Sequence, residues 1–451
     1  MKQTLYLLLG ALLLGAPARA QTAPEEPAGP WTLEQCIDYA RRNNLDVRRC
    51  EVEIAQRETE LSTERNSRLP DLNASLGTNI YFGRGPSRDG TYVDNTQLSG
   101  SLGVSASVPV FQGMRINRRI KGAKLDLAAA TADCERMRED LAVRIMTLYL
   151  EVLFQKELTA VAEHQLDLST RQAERSRLLV ETGRNPVSAR YESEALRAAD
   201  ELALTEARNA LTLALLDLSQ ALNRPSAAGF DIAAPGADDL TPDTPLPAAG
   251  PDAIYDYAEA FRPAVRAERL RLAGSENALR TARSALWPSI MLSGGYGTNV
   301  YRTYATGAVN TNFWDQLRNN GNEYVGLSVQ IPLFNRRATR NGIRSAALNV
   351  RSRELALAEA QQNLRKEIEQ AWYGADAARM KFRSAAMALE SARTAFRFEE
   401  ERAEAGRSTL FDYNDARTRM LRAESELIRS KYEYLFRCKI LDFYRGEPLA
   451  L

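Results

Sequence analysis

The stretch Gln97-Leu98-Ser99-Gly100-Ser101-Leu102-Gly103-Val104-Ser105-Ala106-Ser107-Val108-Pro109-Val110 decides the architecture. Leu98, Leu102, Val104, Ala106, Val108 and Val110 fall on one face, and Gln97, Ser99, Ser101, Gly103, Ser105 and Ser107 on the other. A period of two marks a β-strand with two unlike faces. Soluble sandwiches contain such strands too, but two features here favour a membrane. The polar face is small and uncharged, as suits a wet lumen. The run exceeds the roughly 5–6 residues usual in soluble strands and suffices to cross about 25 Å when tilted by about 40°.

Three further runs read the same way. In residues 71–82, Leu72, Ala74, Leu76, Thr78, Ile80 and Phe82 oppose Asp71, Asn73, Ser75, Gly77, Asn79 and Tyr81. In 289–301, Ile290, Leu292, Tyr296 and Val300 oppose Ser289, Ser293, Gly295, Gly297 and Asn299, with Met291 an exception on the polar side. In 324–334, Val325, Leu327, Val329, Ile331 and Leu333 oppose Gly326, Ser328 and Gln330. The residues expected to face lipid are Leu72, Leu76, Ile80, Leu102, Val104, Val108, Ile290, Leu292, Val325, Leu327 and Val329. Phe111, Trp287 and Phe334 mark one end of the strands and Tyr81, Phe82 and Tyr301 the other, as in an interfacial girdle. Polar, Gly-rich segments 83–95 and 302–322 supply the hairpin tips, expected on the extracellular side. Four strands do not close a barrel, and an open edge does not face hydrocarbon. Copies must therefore pool their strands. Two copies give eight and three give twelve, and the small residues of the polar face favour the wider pore.

The chain is a repeat with a period of about 220 residues. Leu69-Pro70 matches Trp287-Pro288, Val108-Pro109-Val110-Phe111 matches Ile331-Pro332-Leu333-Phe334, and Glu181-Thr182-Gly183-Arg184 matches Glu404-Ala405-Gly406-Arg407. The first repeat is expected over 31–224, with strands about 71–82 and 97–111. The second is expected over 252–445, with strands about 289–301 and 324–334. Residues 225–251, rich in Pro, form a linker with little regular structure, and 446–451 are a tail.

Between strands the period changes to that of a helix. From Met114 to Glu181, Ile116, Ile120, Ala123, Leu127, Ala130, Cys134, Met137 and Leu141 alternate steps of four and three, a heptad seam. A further step of four to Ile145 is a stutter. The second copy, Ile343, Ala347, Val350, Leu357, Leu364, Ile368 and Ala371, is interrupted by Glu354 and Gln361. Each long helix spans roughly 100 Å. The segments 32–68, 187–223, 252–286 and 409–444 read as single helices about half as long. The arithmetic implies that a long helix descends from the strands, the chain turns at Gly183 or Gly406, and a short helix climbs to mid-height. The chain ends and the linker then form a belt. A plain helical bundle shows similar helices, but these adjoin the membrane strands and read as a tube prolonging the barrel.

Of 451 residues, 58 are acidic and 59 basic, so no bulk field points to nucleic acid. Residues 1–20 read as a signal peptide: Lys2, an apolar run from Leu5 to Ala16, and Ala18-Arg19-Ala20 before Gln21. A signal anchor is the alternative. Residues 21–30 read as a disordered leader, and no later run of about 18 apolar residues follows. The single histidine, His164, has no nucleophile, metal cluster or phosphate loop to work with. Catalysis, a metal and a cofactor are not expected. Cys36 and Cys50 lie about 21 Å apart along one expected helix, too far for a bridge. Cys134 falls on an apolar stripe. The four cysteines are expected as free, buried thiols, with a Cys36–Cys438 bridge as the alternative.

At the turns stand Gly183-Arg184-Asn185-Pro186 and Gly406-Arg407-Ser408-Thr409. Gly suits a helix C-cap, and Asn185, Ser408 and Thr409 suit an N-cap. Asp412 and Asp415 follow on one helix face. First-turn carboxylates complement the helix dipole. Copied by symmetry, they also make a cation-selecting ring.

These landmarks together resemble the TolC-like outer-membrane efflux protein family over Trp31 to about Leu449. The resemblance rests on Trp31-Thr32-Leu33 with Ala40 and Asn43-Asn44, on Leu69-Pro70-Asp71-Leu72, and on the two Pro-x-Phe strand exits. The run Gly406-Arg407-Ser408-Thr409-Leu410-Phe411-Asp412 with Asp415-Ala416 adds to it. It implies an α+β membrane protein: a duplicated long-helix α-barrel continuous with a transmembrane β-barrel, four strands per chain and twelve in a homotrimer. It also implies an outer-membrane location with a long periplasmic extension. Asp412 and Asp415 become the pore aperture. The turns at Gly183, Arg184, Gly406, Arg407, Ser408 and Thr409 become the dock for a periplasmic adaptor protein and an inner-membrane transporter. Ala189 and Ala403 depart from the family, standing where a polar gate contact is expected. The implied function is the exit duct of a tripartite efflux or type I secretion system. A periplasmic coiled-coil adaptor is the alternative.

Overall fold

The structure is a computed structural model that describes residues 29–86, 90–94, 96–234, 250–304 and 308–449. The expected signal peptide, most of the leader, residues 235–249 of the linker and the last two tail residues lie outside the described residues.

The first half runs α1 (Leu33–Asn43), α2 (Leu45–Asn66), β1 (Asp71–Tyr81), β2 (Arg84–Pro86), β3 (Tyr92–Asp94), β4 (Gln97–Phe111), α3 (Arg115–Glu181) and α4 (Val187–Ala221). The second runs α5 (Pro251–Phe261), α6 (Pro263–Arg283), β5 (Ser289–Thr303), α7 (Phe313–Asn319), β6 (Asn322–Gln330), α8 (Ala338–Glu404) and α9 (Leu410–Tyr444). The duplication is close: α3 and α8 each have 67 residues, and α4 and α9 each have 35. No described helix is long and apolar enough to cross a membrane.

Both expected single helices at the start of each half are broken. In the first, Asn44 leaves the helix (ψ 133°), and its side chain accepts the Asp46 N–H at 2.8 Å to start α2. In the second, Arg262 takes ψ 128° because Pro263 bars the helical conformation to the residue before it. Freed at that break, the Arg262 guanidinium reaches Glu139 of α3 at 2.7 Å and stacks 3.6 Å from the Phe443 ring. The breaks lie beside the middle of each long helix, where the buried clusters sit.

That core gathers Leu33 and Ile37 of α1, Ile145, Met146 and Val152 of α3, and Leu218 and Leu222 around Trp31, Phe230 and Ile232. The start of the linker belongs to it. Trp31 and Ile232 form a parallel bridge, and Tyr149 donates its hydroxyl to Ala233 O at 2.6 Å. A second cluster joins Ile254 and Val265 to Ile368 and Ala375 of α8.

Strand-to-helix transfer needs left-handed backbone in both halves, at Gly113 and Met114 and at Arg336 and Arg337. Gly113 is also sterically required. A Cβ there would stand 2.7 Å from Trp287 Cβ and 2.9 Å from Ser284 O. The fourth strand ends at Gln330 rather than near 334. Its partner β5 begins at Ser289, opposite Gln330, and Pro332 has no N–H to continue a ladder.

The cysteine expectation is overturned for two residues. Cys50 of α2 and Cys134 of α3 are joined by a disulfide, their Cα atoms 5.5 Å apart. Pairing depends on which helices lie side by side, which spacing along one helix does not reveal. Cys36 and Cys438 are free rather than bridged to each other. Burial pushes the Cys36 thiol up to about 12, so it stays protonated. The bridge closes a long loop of the unfolded chain and contributes about 2–4 kcal/mol. A Cys50→Ala/Cys134→Ala variant is therefore expected to unfold at a lower temperature than the oxidised protein. Calorimetry in detergent checks this, and an unchanged midpoint would contradict it.

Candidate pore wall and aperture

The four long strands form one antiparallel sheet in the order β1-β4-β5-β6. Its register brings the apolar positions together. Leu76 faces Leu102, Val104 faces Tyr296, Val108 faces Leu292, Leu292 faces Leu327, and Ile290 faces Val329. With strict alternation, Leu72, Ile80 and Val325 share that face. All eleven positions expected to meet lipid thus lie on one side. The other side carries Ser75, Ser101, Ser105, Ser293, Ser328 and their glycines, with Met291 among them. A bulge between Pro109 and Phe111 ends the regular ladder where β4 hands over to α3.

Strands β1 and β6 each have one neighbour, so the sheet has two open edges. The rod below is likewise unfinished. On α8, Leu348 and Leu355, then Tyr373, Met380 and Met387, recur at sevens and stand exposed. At the opposite rim, Val52 of α2 and Leu202 and Leu213 of α4 are exposed. A row of apolar knobs at heptad spacing is the seam of a helix that packs on another.

A further short stretch of edge, on β5, is closed within the chain. β6 pairs with β5 only as far as Gly297, leaving Asn299, Tyr301 and Thr303 without a strand. The side-chain amides of α7 and its flanks replace that strand. Gln316 accepts from Tyr301 N–H at 2.8 Å and donates to Tyr301 O at 2.9 Å. Asn310 does the same for Thr303, and Asn320 donates to Asn299 O at 2.6 Å. Sequence reading placed only a polar loop here.

At the tips, both expected glycines are left-handed, Gly183 at φ 74° and Gly406 at φ 69°. Each closes its helix the same way. Arg184 N–H donates to Leu179 O and Arg407 N–H to Arg402 O, both at 2.8 Å. Of the expected N-caps, Thr409 caps α9, accepting the Asp412 N–H at 3.1 Å. Asn185 does not cap α4, because Pro186 takes the N-cap position. Ser408 instead donates its hydroxyl to Glu399. Asp412 accepts the Thr409 hydroxyl at 2.7 Å, and Asp415 pairs with Arg419 one turn on. Both carboxylates stay on the first turns of α9, within the positive end of its dipole.

Sequence reading missed one residue pair near the tip. Arg417 of α9 is only 5% exposed and donates to Asp200 of α4 at 2.7 Å and to Gln165 O of α3 at 3.0 Å. Higher up, Glu157 of α3 accepts from Lys431 at 2.9 Å and from the Tyr432 hydroxyl at 2.8 Å. These contacts tie the second helical hairpin to the first. The chain offers no local signal for them, since an arginine among charged residues reads as a solvated face. Among the described residues, no group of three or more His, Cys, Asp or Glu is placed to hold a metal ion.

Comparison with known proteins agrees with this geometry. The model of a family described as "Outer membrane efflux protein" matches residues 36–224 and 254–442, one segment in each half. The chain is 20% identical to the outer membrane efflux protein BepC of Brucella suis biovar 1 over 430 residues, covering 95% of this chain and 86% of that protein. It is 22% identical to the outer membrane protein TolC of Escherichia coli strain K12 over 442 residues, covering 96% and 84%. Its fold matches the CmeC outer membrane channel of Campylobacter jejuni with a TM-score of 0.77 at 16% identity, over 95% of this chain and 92% of that one. The alternative of a periplasmic adaptor falls with these matches. An apolar-faced sheet continuous with duplicated helical hairpins, matched along both halves, places the chain in the outer membrane efflux protein family, as a channel of the outer membrane with a long periplasmic tunnel.

Proposed function

We propose that three copies of this chain join β1 to β6 edge to edge, closing a twelve-stranded barrel above a helical tube. The duct is a passive conduit, the exit of a tripartite efflux or type I secretion system. The observation that carries this reading is the pair of open sheet edges beside a largely apolar face. In hydrocarbon each unpaired amide costs several kcal/mol, so the edges must meet one another. The exposed rims of α8, α2 and α4 pack between copies in the same step. At the lower end, the turns at Gly183-Arg184 and Gly406-Arg407-Ser408-Thr409 present the surface for a periplasmic adaptor protein and an inner-membrane transporter.

Asp412 and Asp415 line the narrowest point. The Asp415–Arg419 pair is an exposed one and contributes little, so it does not hold the carboxylate from the lumen. Tip closure rests on Arg417 and Asp200, which supply a polar hold where Ala189 and Ala403 do not. The two charges are buried together, and removing one leaves the other uncompensated at a cost of about 3–5 kcal/mol.

Three measurements bear on this. Arg at Leu102 or Leu327 places a charge on the lipid face at about 2–4 kcal/mol per copy near the midplane. Trimer yield in outer membranes is expected to collapse, and normal yield would contradict the assigned face. Replacing both Asp412 and Asp415 with Ala is expected to lower cation preference in planar bilayers by roughly twofold or more; unchanged selectivity removes the carboxylate ring. Arg417→Leu is expected to raise single-channel conductance, and adding Asp200→Leu to restore the closed level. Equal conductance in wild type and Arg417→Leu would dismiss the hold.

A further inference from the structure

At the loop end of the sheet, α7 leaves a groove of about 820 Å³ between itself and strands β1, β4 and β5. That size lies within the roughly 300–1,000 Å³ of small-ligand sites. Leu76, Leu98 and Leu102 form the sheet side of the groove, and Phe313, Trp314 and Leu317 the helix side. Gly100 keeps its floor open, for a Cβ there would stand 2.9 Å from Val300 Cγ2. Phe313 and Trp314 stack edge to face on each other and remain exposed.

One cation borders this apolar groove. Arg302 pairs with Leu98 across the strands, so it points to the apolar face rather than the polar one. Its guanidinium lies 5.5 Å from the Tyr304 ring, and among the described residues no carboxylate pairs with it. An arginine at the edge of hydrocarbon is costly without an anion or water. It is also the side chain best shaped to grip a phosphate with two parallel hydrogen bonds. Its level is the loop end of the strands, the extracellular side, where the outer leaflet is built of phosphorylated acyl-glycolipid.

We propose that the groove under α7 holds an acyl chain of lipid A, with a lipid A phosphate seated on Arg302. The proposal rests on the apolar face meeting lipid, as argued above. The two partners meet at one interface: an acyl slot below and the Arg302 cation at its border. Once filled, the groove buries Phe313 and Trp314 and steadies the helix whose amides close the edge of β5.

Native mass spectrometry of the full-length protein in detergent, with diphosphoryl lipid A added, tests this. The wild-type oligomer is expected to retain lipid A, and Arg302→Gln to lose retention by about tenfold, the size of one charge-assisted contact. Leu98→Gln, which alters the slot and keeps the cation, is expected to weaken retention as well. Phosphatidylglycerol, with the same phosphate on a different lipid, is expected to bind less. Equal retention in wild type and Arg302→Gln, equal retention of phosphatidylglycerol, or no lipid A on the wild type overturns the proposal. The last of these is also the outcome if residues 84–94 of a neighbouring copy fill the groove. Masses in the same spectra separate the two readings. An intact oligomer without lipid A refutes the groove alone, whereas a monomer refutes the shared barrel and the groove together.

Discussion

A strand at the edge of a sheet turns the N–H and C=O of every second residue away from its only neighbour, and hydrocarbon offers them nothing. Everything else in this protein answers to that constraint. Four strands leave two such edges. One short stretch of edge, on β5 above the end of β6, is covered by the amides of Gln316, Asn310 and Asn320. The remainder is flanked by an apolar face, the state in which a soluble protein would aggregate. Closure by copies of itself turns that liability into a wall.

The helices obey the same economy of one chain supplying part of an object. Within the chain, tight packing is concentrated at mid-height, where α1, α3, α4 and the linker meet. Towards the tip the cluster of buried side chains shrinks to Leu389, Phe396 and Met420. There polar contacts such as Arg417 to Asp200 bridge the hairpins. A region held by few apolar contacts and by specific charge pairs opens at lower cost than a region held by a core. The distribution of packing thus sets a firm waist above a tip that has fewer contacts to break.

Much of this was legible because the chain uses its two periodicities without ambiguity. Alternation over 97–110 and 71–82 has few exceptions, so the four strands and their shared face followed from pattern, with only the end of the fourth misplaced. Gly183 and Gly406 announced the turns through the left-handed backbone a helix end favours. Pro263 signalled the break at Arg262, yet the helical pattern on either side masked it, and Asn44 broke the first copy without a proline. The Cys50–Cys134 bridge and the Arg417 contact depend on lateral neighbours far apart in the chain, information that no local pattern contains. α7 is only 7 residues long, too short to show a period.

The Cys50–Cys134 bridge has a topological consequence. It makes residues 50–134 a covalent ring that contains β1, the hairpin tip and β4. A protease that reaches the exposed tip and severs it once yields no separate fragments. The nicked chain keeps its mass on a gel until a reductant opens the ring. The first membrane hairpin can thus be cut at the cell surface and still hold its place in the wall.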